Sequence, residues 1–155
     1  MRIREGDPLE IYTSRDGEVI FKKYSPMGEM SAMAAELADA LARTAGMSCA
    51  ISDRDAVIAA AGGAKKDVLE KSVSAELEQL MEQRIIYARG ESSLPDIPLS
   101  GRDGYRLVTA VPVITDGDVS GCVAFISEKE DTASSEVLLG LCQSAAQFLS
   151  RRIAV

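Results

Sequence analysis

Three cysteines and one glycine-lysine turn are the side chains in this sequence whose types invite a chemical reading. Cys49, Cys122 and Cys142 each sit inside an apolar run, and their spacing fits neither a CxxC pair nor a zinc pattern. The chain holds no histidine, so the commonest general base and metal ligand is missing. Buried thiols acting as small hydrophobes are the expected state, with no metal site and no cofactor. The turn "GGAKK" places Gly62 and Gly63 before Lys65 and Lys66, but no GxxxxGK[ST] phosphate loop occurs.

Charge adds a second kind of candidate. Residues 1–24 carry Arg2, Arg4, Arg15, Lys22 and Lys23 against five acids, so this stretch is neutral. The net charge of −7 therefore lies wholly on the rest of the chain, with 12 basic and 19 acidic residues. An acidic body repels phosphate backbones, which disfavours nucleic-acid binding by residues 25–155. Arg2 and Arg4 are the remaining candidates for phosphate contact. A solvated hairpin face with edge lysines that block sheet-to-sheet pairing is the competing explanation for these basic residues.

The elements that must position these groups follow from pattern. At 155 residues the chain reads as one domain with a small appendage, long enough to bury roughly 68–70% of its unfolded surface. No run approaches 18 apolar residues and no signal-peptide pattern opens the chain, so it is expected to be cytoplasmic and off the membrane. "PLEIYT", the turn "SRDG" and "EVIFKKY" predict a hairpin too polar to fold alone. Ser25 and Pro26 predict a helix start, and Gly46 its stop. On that helix Met27, Met30, Ala34, Leu37 and Leu41 recur at spacings of three and four, a seam suited to helix–helix packing. The seam serves either self-association, as a dimer or tetramer, or an internal core stripe.

Beyond Gly46 the period changes. "MSCAIS" and "AVIAAA" predict paired strands, "KKDVLEKSVSAELEQLMEQR" a loop and a helix capped by Ser74, and "IIYA" a further strand. "RGESSLPDIPLSGRDG" is expected to be a long surface loop. "YRLVTAVPVI" and "VSGCVAFIS" predict a strong hairpin across "TDGD", with an edge or bulge at Pro112. A last, amphipathic helix runs from about Ala133 to Arg152, with Val137, Leu141, Ala145, Phe148 and Leu149 on one face. Helices bracketing a mainly antiparallel sheet make the fold class α+β.

Two stretches carry a family resemblance. "IREGDPLEI", a turn and "GEVIFKKY" resemble the second hairpin of the SpoVT–AbrB swapped-hairpin DNA-binding domain. Residues 27–155, with "DRD", "KKDVLEKSVS" and "DGDVSGCVAFIS", resemble a GAF domain, a helix-flanked antiparallel sheet used as a small-molecule sensor. The resemblance implies three parts: residues 1–25 as half of the DNA-binding domain, 26–45 as a connecting and dimerisation helix, and 46–155 as a GAF-like sensor. It implies that the family's first hairpin and DNA-facing arginines belong upstream of Arg2, so that Met1 is not the natural start. Promoter DNA is then a partner of a longer parent chain, a sporulation regulator. A ligand pocket is implied between the sheet and the loops over it, at Cys49, Ile51, Val57, Ala59, Gly62, Gly63, Lys65, Lys66, Val111 and Val113. There Gly62 and Gly63 would let backbone approach a small molecule, and Lys65 or Lys66 would meet an anion. The loop 89–104 would be its lid. Some GAF-fold proteins reduce methionine sulfoxide with paired cysteines, but cysteines inside apolar runs lack the accessible low-pKa thiol this needs, so no enzyme is expected. The rival function is a GAF-fold assembly module that binds neither ligand nor DNA.

Overall fold

A computed structural model describes residues 9–13, 19–23, 27, 30–90, 96–101, 104–129 and 132–153. Ser25, Pro26, Arg2 and Arg4 lie outside these residues, and so does part of the loop 89–104.

The first two strands, β1 (Leu9–Thr13) and β2 (Val19–Lys23), pair antiparallel as a separate two-stranded sheet, with Leu9 opposite Lys23 and Thr13 opposite Val19. Helix α1 (Ser31–Ala45) follows. It ends where glycine permits the left-handed turn: Gly46 has φ 66° and donates its N–H to Ala42 O at 2.8 Å.

A five-stranded antiparallel sheet forms the centre, in the order β4-β3-β7-β6-β5. Its strands are β3 (Ser48–Ser52), β4 (Val57–Ala61), β5 (Tyr87–Ala88), β6 (Arg106–Thr115) and β7 (Asp118–Ser127). The β6–β7 turn is the tight one that "TDGD" predicts. Asp116 and Gly117 both take positive φ, 52° and 86°, which matches the twist of the flanking strands. Pro112 sits opposite Cys122, one step from a register shift at Val113/Ile114 and past the two residues of β6 that β5 pairs. Its missing N–H therefore costs no ladder bond on that side. Gly121 is required by contact: a Cβ there would lie 2.0 Å from Ser52 O.

Each face of the sheet buries its own core. On one face α1 and α4 (Glu136–Ile153) cover Cys49, Ile51, Ala59, Val111, Val123 and Phe125. On the other, α2 (Lys65–Val68), α3 (Ala75–Glu82) and the side chains of Ile97, Leu99 and Tyr105 cover Ala50, Ala60, Ala110, Cys122 and Ala124. Ser74 caps α3 as its sequence predicts, accepting from Leu77 N at 3.0 Å, and Leu77, Leu80 and Met81 are buried.

Two expectations change. The inward face of α4 is Leu138, Cys142, Ala145, Ala146 and Leu149, whereas Val137 and Phe148 are 69% and 44% exposed. The helix carries two apolar stripes about a quarter-turn apart; the sheet takes the one through Leu138 and Cys142, which shares Ala145 and Leu149 with the expected face and leaves Val137 and Phe148 outside. The segment after Pro95 is no surface loop either. Ile97 and Leu99 are buried, and Pro98 bridges to Arg106. Apolar side chains at alternate positions make it a plug for the α3 face despite its proline content.

Candidate ligand and assembly surfaces

The residues expected to line one pocket fall in three places. Cys49, Ile51, Ala59, Val111 and Val113 are buried beneath α1 and α4. Val57 is buried on the opposite face, because a register shift between Ile51 and Ser52 turns the end of the β3–β4 pair over. Gly62 and Gly63 border an open groove of about 330 Å³ with Asp39, Arg43, Gly46 and Met47 at the C-terminal end of α1. Lys65 and Lys66 are exposed beyond it.

The groove has a structural reason to be lined by glycine. Gly62 has φ 94°, and a Cβ on it would stand 2.7 Å from Ser48 Oγ and 2.8 Å from Ser48 Cα. Ser48 Oγ in turn accepts the Ala64 N–H at 3.1 Å just ahead of α2. Close packing of turn on strand therefore needs Gly62, while Gly63 faces open space. Arg43 Nε pairs with Asp39 Oδ2 at 3.0 Å across an exposed helix surface, a pairing that contributes little.

On the α3 face the floor is built from small side chains: Ala50, Ala60, Ala110 and Ala124, with Ser52 and Cys122 opposite each other at the end of β3. Ser52 is 2% exposed and its Oγ has no hydrogen-bond partner among the described residues. Tyr105 closes the rim near α2, its hydroxyl donating to Asp67 Oδ2 at 3.2 Å. The hydrogen bond to Glu128, then burial and Asp67, push the Tyr105 phenol well above its ordinary value. Nothing in the sequence marks Ser52; a polar residue at the end of an apolar strand is unremarkable until its surroundings are known.

The seam residues of α1 face inward in part. Met27, Ala34 and Leu41 are buried in the core beneath the helix, and Met30 and Leu37 pack against its rim, half-buried. Alongside, α4 turns Val137 and Phe148 of its second stripe outward, while Leu141 on the same side packs half-buried against the core, and the Arg152 guanidinium lies 5.8 Å from the Phe148 ring centre.

The thiols are placed as core. Cys49, Cys122 and Cys142 are all at most 3% exposed and unpaired. Burial pushes the Cys142 thiol up to about 12, and drives those of Cys49 and Cys122 higher still, helped by the neighbouring thiols. None offers the accessible thiolate that nucleophilic or redox chemistry requires. Among the described residues no cluster of three metal-ligating side chains forms, and no helix is long and apolar enough to cross a membrane.

Similarity to known proteins agrees with this architecture. Among solved structures, the type II free methionine-R-sulfoxide reductase from Thermoplasma acidophilum superposes with a TM-score of 0.58 at 14% identity, covering 82% of this chain and 94% of that one. The GAF domain of an Acinetobacter phosphoenolpyruvate-protein phosphotransferase gives 0.57 at 14% identity, covering 85% and 84%. Identity this low shows the fold alone, a GAF-like α+β domain. In sequence, stage V sporulation protein T of Bacillus subtilis (strain 168) is 42% identical over 153 residues, 99% of this chain and 85% of that protein. The model for the C-terminal, transcription-factor part of stage V sporulation protein T matches residues 29–154. The chain thus belongs to the stage V sporulation protein T C-terminal family of transcription factors.

Proposed function

We propose that this chain is the regulatory part of a sporulation transcription factor and acts by self-association through the layer formed by α1 and α4. The second apolar stripe of α4 carries this reading. Single exposed apolar residues are ordinary on a soluble surface, but Val137, Leu141 and Phe148 stand in line at helical spacing, Val137 and Phe148 strongly exposed. Met30 and Leu37 of α1 add half-buried apolar surface to the same layer. Burying a Val or Phe side chain contributes about 1.5–3 kcal/mol, and a two-fold interface uses each residue twice.

In this reading residues 1–25 are half of the swapped-hairpin DNA-binding unit, 26–45 the connecting helix and 46–155 the GAF-like sensor. Pairing two copies fixes the spacing of two α1 helices, and with it the hairpins that precede them. The full-length protein then grips promoter DNA in the cytoplasm, with Arg2 and Arg4 as minor phosphate contacts. No catalytic step is assigned, in keeping with the buried thiols. Sedimentation velocity tests the association. The wild type is expected to be a dimer or tetramer at about 10 µM, and Phe148→Asp to weaken it at least about tenfold. Leu37→Asp should act in the same direction. A wild type that stays monomeric at about 100 µM, roughly 5.5 kcal/mol of association, would sink the reading.

One observation favours small-molecule sensing as well. The unpartnered Ser52 Oγ lies over an alanine floor on the α3 face, and an unmet buried hydroxyl costs about 1–3 kcal/mol. A small ligand with one hydrogen-bonding group, reaching Ser52 on that face, would recover this. Thermal shifts across a metabolite panel test it, since a ligand at 100 times its Kd adds about 2.7 kcal/mol. Concentration-dependent melting with no ligand response would leave an assembly module.

A further inference from the structure

A continuous polar path runs around the β5 edge of the sheet and joins the two faces that the sheet otherwise separates. It begins at the cap of α3. Ser74 accepts from Leu77 N and donates its hydroxyl to Pro98 O at 2.7 Å, while Ser74 N donates to Leu99 O at 2.9 Å. Two residues before Pro98 stands Asp96, whose Oδ1 accepts from Arg89 Nη2 at 2.7 Å. Arg89 then reaches the far side. Its Nη1 donates to Lys129 O at 2.7 Å and to Thr132 O at 3.4 Å, and its backbone O accepts from Ser134 N at 3.0 Å. Ser134 also meets Thr109 through its hydroxyl, and the next residue, Ser135, caps α4 by accepting from Leu138 N at 3.2 Å.

We infer that Arg89 is a coupling clasp, through which the state of the α3 cap is felt at the first turn of α4. Three features set it apart from an ordinary surface ion pair. The Arg89 side chain is only 10% exposed although Asp96 across from it is 49% exposed, so the guanidinium itself is held in place while its carboxylate partner stays in contact with water. Its guanidinium fork serves two segments at once, which the point charge of lysine does not reproduce. Its main chain is fixed too, because Arg89 N donates to Val108 O at 2.8 Å. The fork therefore has a fixed base on the sheet and two segments, one per face, that move relative to it only by breaking a charge-assisted bond. The coupling needs neither a ligand on the α3 face nor a partner on α4.

Peptide-resolved hydrogen exchange on the full chain tests this with a double-mutant cycle between Ser74→Ala and Arg89→Lys, with Asp96→Asn as a second way to open the clasp. Residues 97–100 report the near side and 132–139 the far side. Ser74→Ala should speed exchange on the near side and, at least about tenfold, on the far side. In the Arg89→Lys or Asp96→Asn background the same substitution should still act on the near side but change the far side less than about twofold. A Ser74→Ala protein whose far side keeps its wild-type exchange would overturn the clasp. So would a far-side effect of equal size in all backgrounds, since a purely structural role for Arg89 predicts independent contributions.

Discussion

The two faces of the sheet are closed by different means. Over one lie α1 and α4, of 15 and 18 residues, and the core beneath them is a continuous run of apolar side chains. Over the other lie α2 and α3, of 4 and 8 residues, and a plug of irregular chain tied by a few hydrogen bonds, two of them from Ser74 and the others from Leu99 and Leu107. The second face also holds the orphaned Ser52 hydroxyl, and the strained positive-φ residues Glu70 and Arg84 lie in its connections. A long helix adds area cooperatively, so it can cover a core and still present a second stripe outward. Short helices and plugs add little area each, so that face is closed by contacts that can be broken one at a time. The helical face is thus suited to persist and to meet another molecule, and the plugged face to change.

The largest effect is expected in β7, the strand that carries core side chains on both faces. Gly121→Ala puts a Cβ 2.0 Å from Ser52 O, a clash with backbone that no rotamer relieves. It is expected to cost about 3 kcal/mol or more, or to prevent folding, in denaturant unfolding. Next come matched truncations. Leu149 beneath the helical face and Leu77 beneath the plugged face are 0% and 1% exposed. Leu149→Ala should cost about 4 kcal/mol and Leu77→Ala about 2–3, because short elements collapse onto a cavity more readily. Equal losses would remove the distinction between a stiff and a yielding face.

Ser74→Ala is expected to cost about 1–2 kcal/mol through the lost α3 cap and the contact with Pro98, with the added exchange confined to the plugged face once the Arg89 fork is removed. The smallest effect concerns the thiols. Their pKa values are raised in the folded protein, so neutral thiols are favoured there and the unfolded chain loses its protons first. Stability from this source is complete below about 9, the ordinary thiol value, and declines as pH rises from there toward about 12, where Cys142 titrates. At pH 8 an aromatic disulfide reagent should label none of the three cysteines in the native protein and all three after denaturation. Rapid native labelling of even one would show that its face opens far more often than its burial implies.

Much of this was open to reading from residue order. The switch from a 3.6-residue period to a two-residue period at Gly46, the paired strands around "DRD", the Ser74 cap and the Asp116–Gly117 turn are local features, set by backbone sterics and nearest-neighbour hydrogen bonds. The inward burial of the cysteines followed from the same patterns. The placement of the pocket candidates did not, because a single register shift between Ile51 and Ser52 sends Val57 to the opposite face from Ala59. Nor did the rotation of α4, where two stripes satisfy the helical period equally and only the sheet beneath chooses one.

Residue types and spacing by themselves determined the strands and the longer helices in outline, the α+β class, the buried state of the thiols and the neutral opening hairpin ahead of an acidic body, whereas α2 arises in a stretch expected as loop. Those properties are fixed by interactions among residues a few positions apart, or by composition. It took the packed molecule to show that Ile97 and Leu99 plug a core, that Phe148 stays outside one, that Ser52 lacks a partner among the described residues and that Arg89 spans two faces. Each of these depends on what lies across the sheet from a side chain, and Arg89 meets Thr132 from 43 positions away.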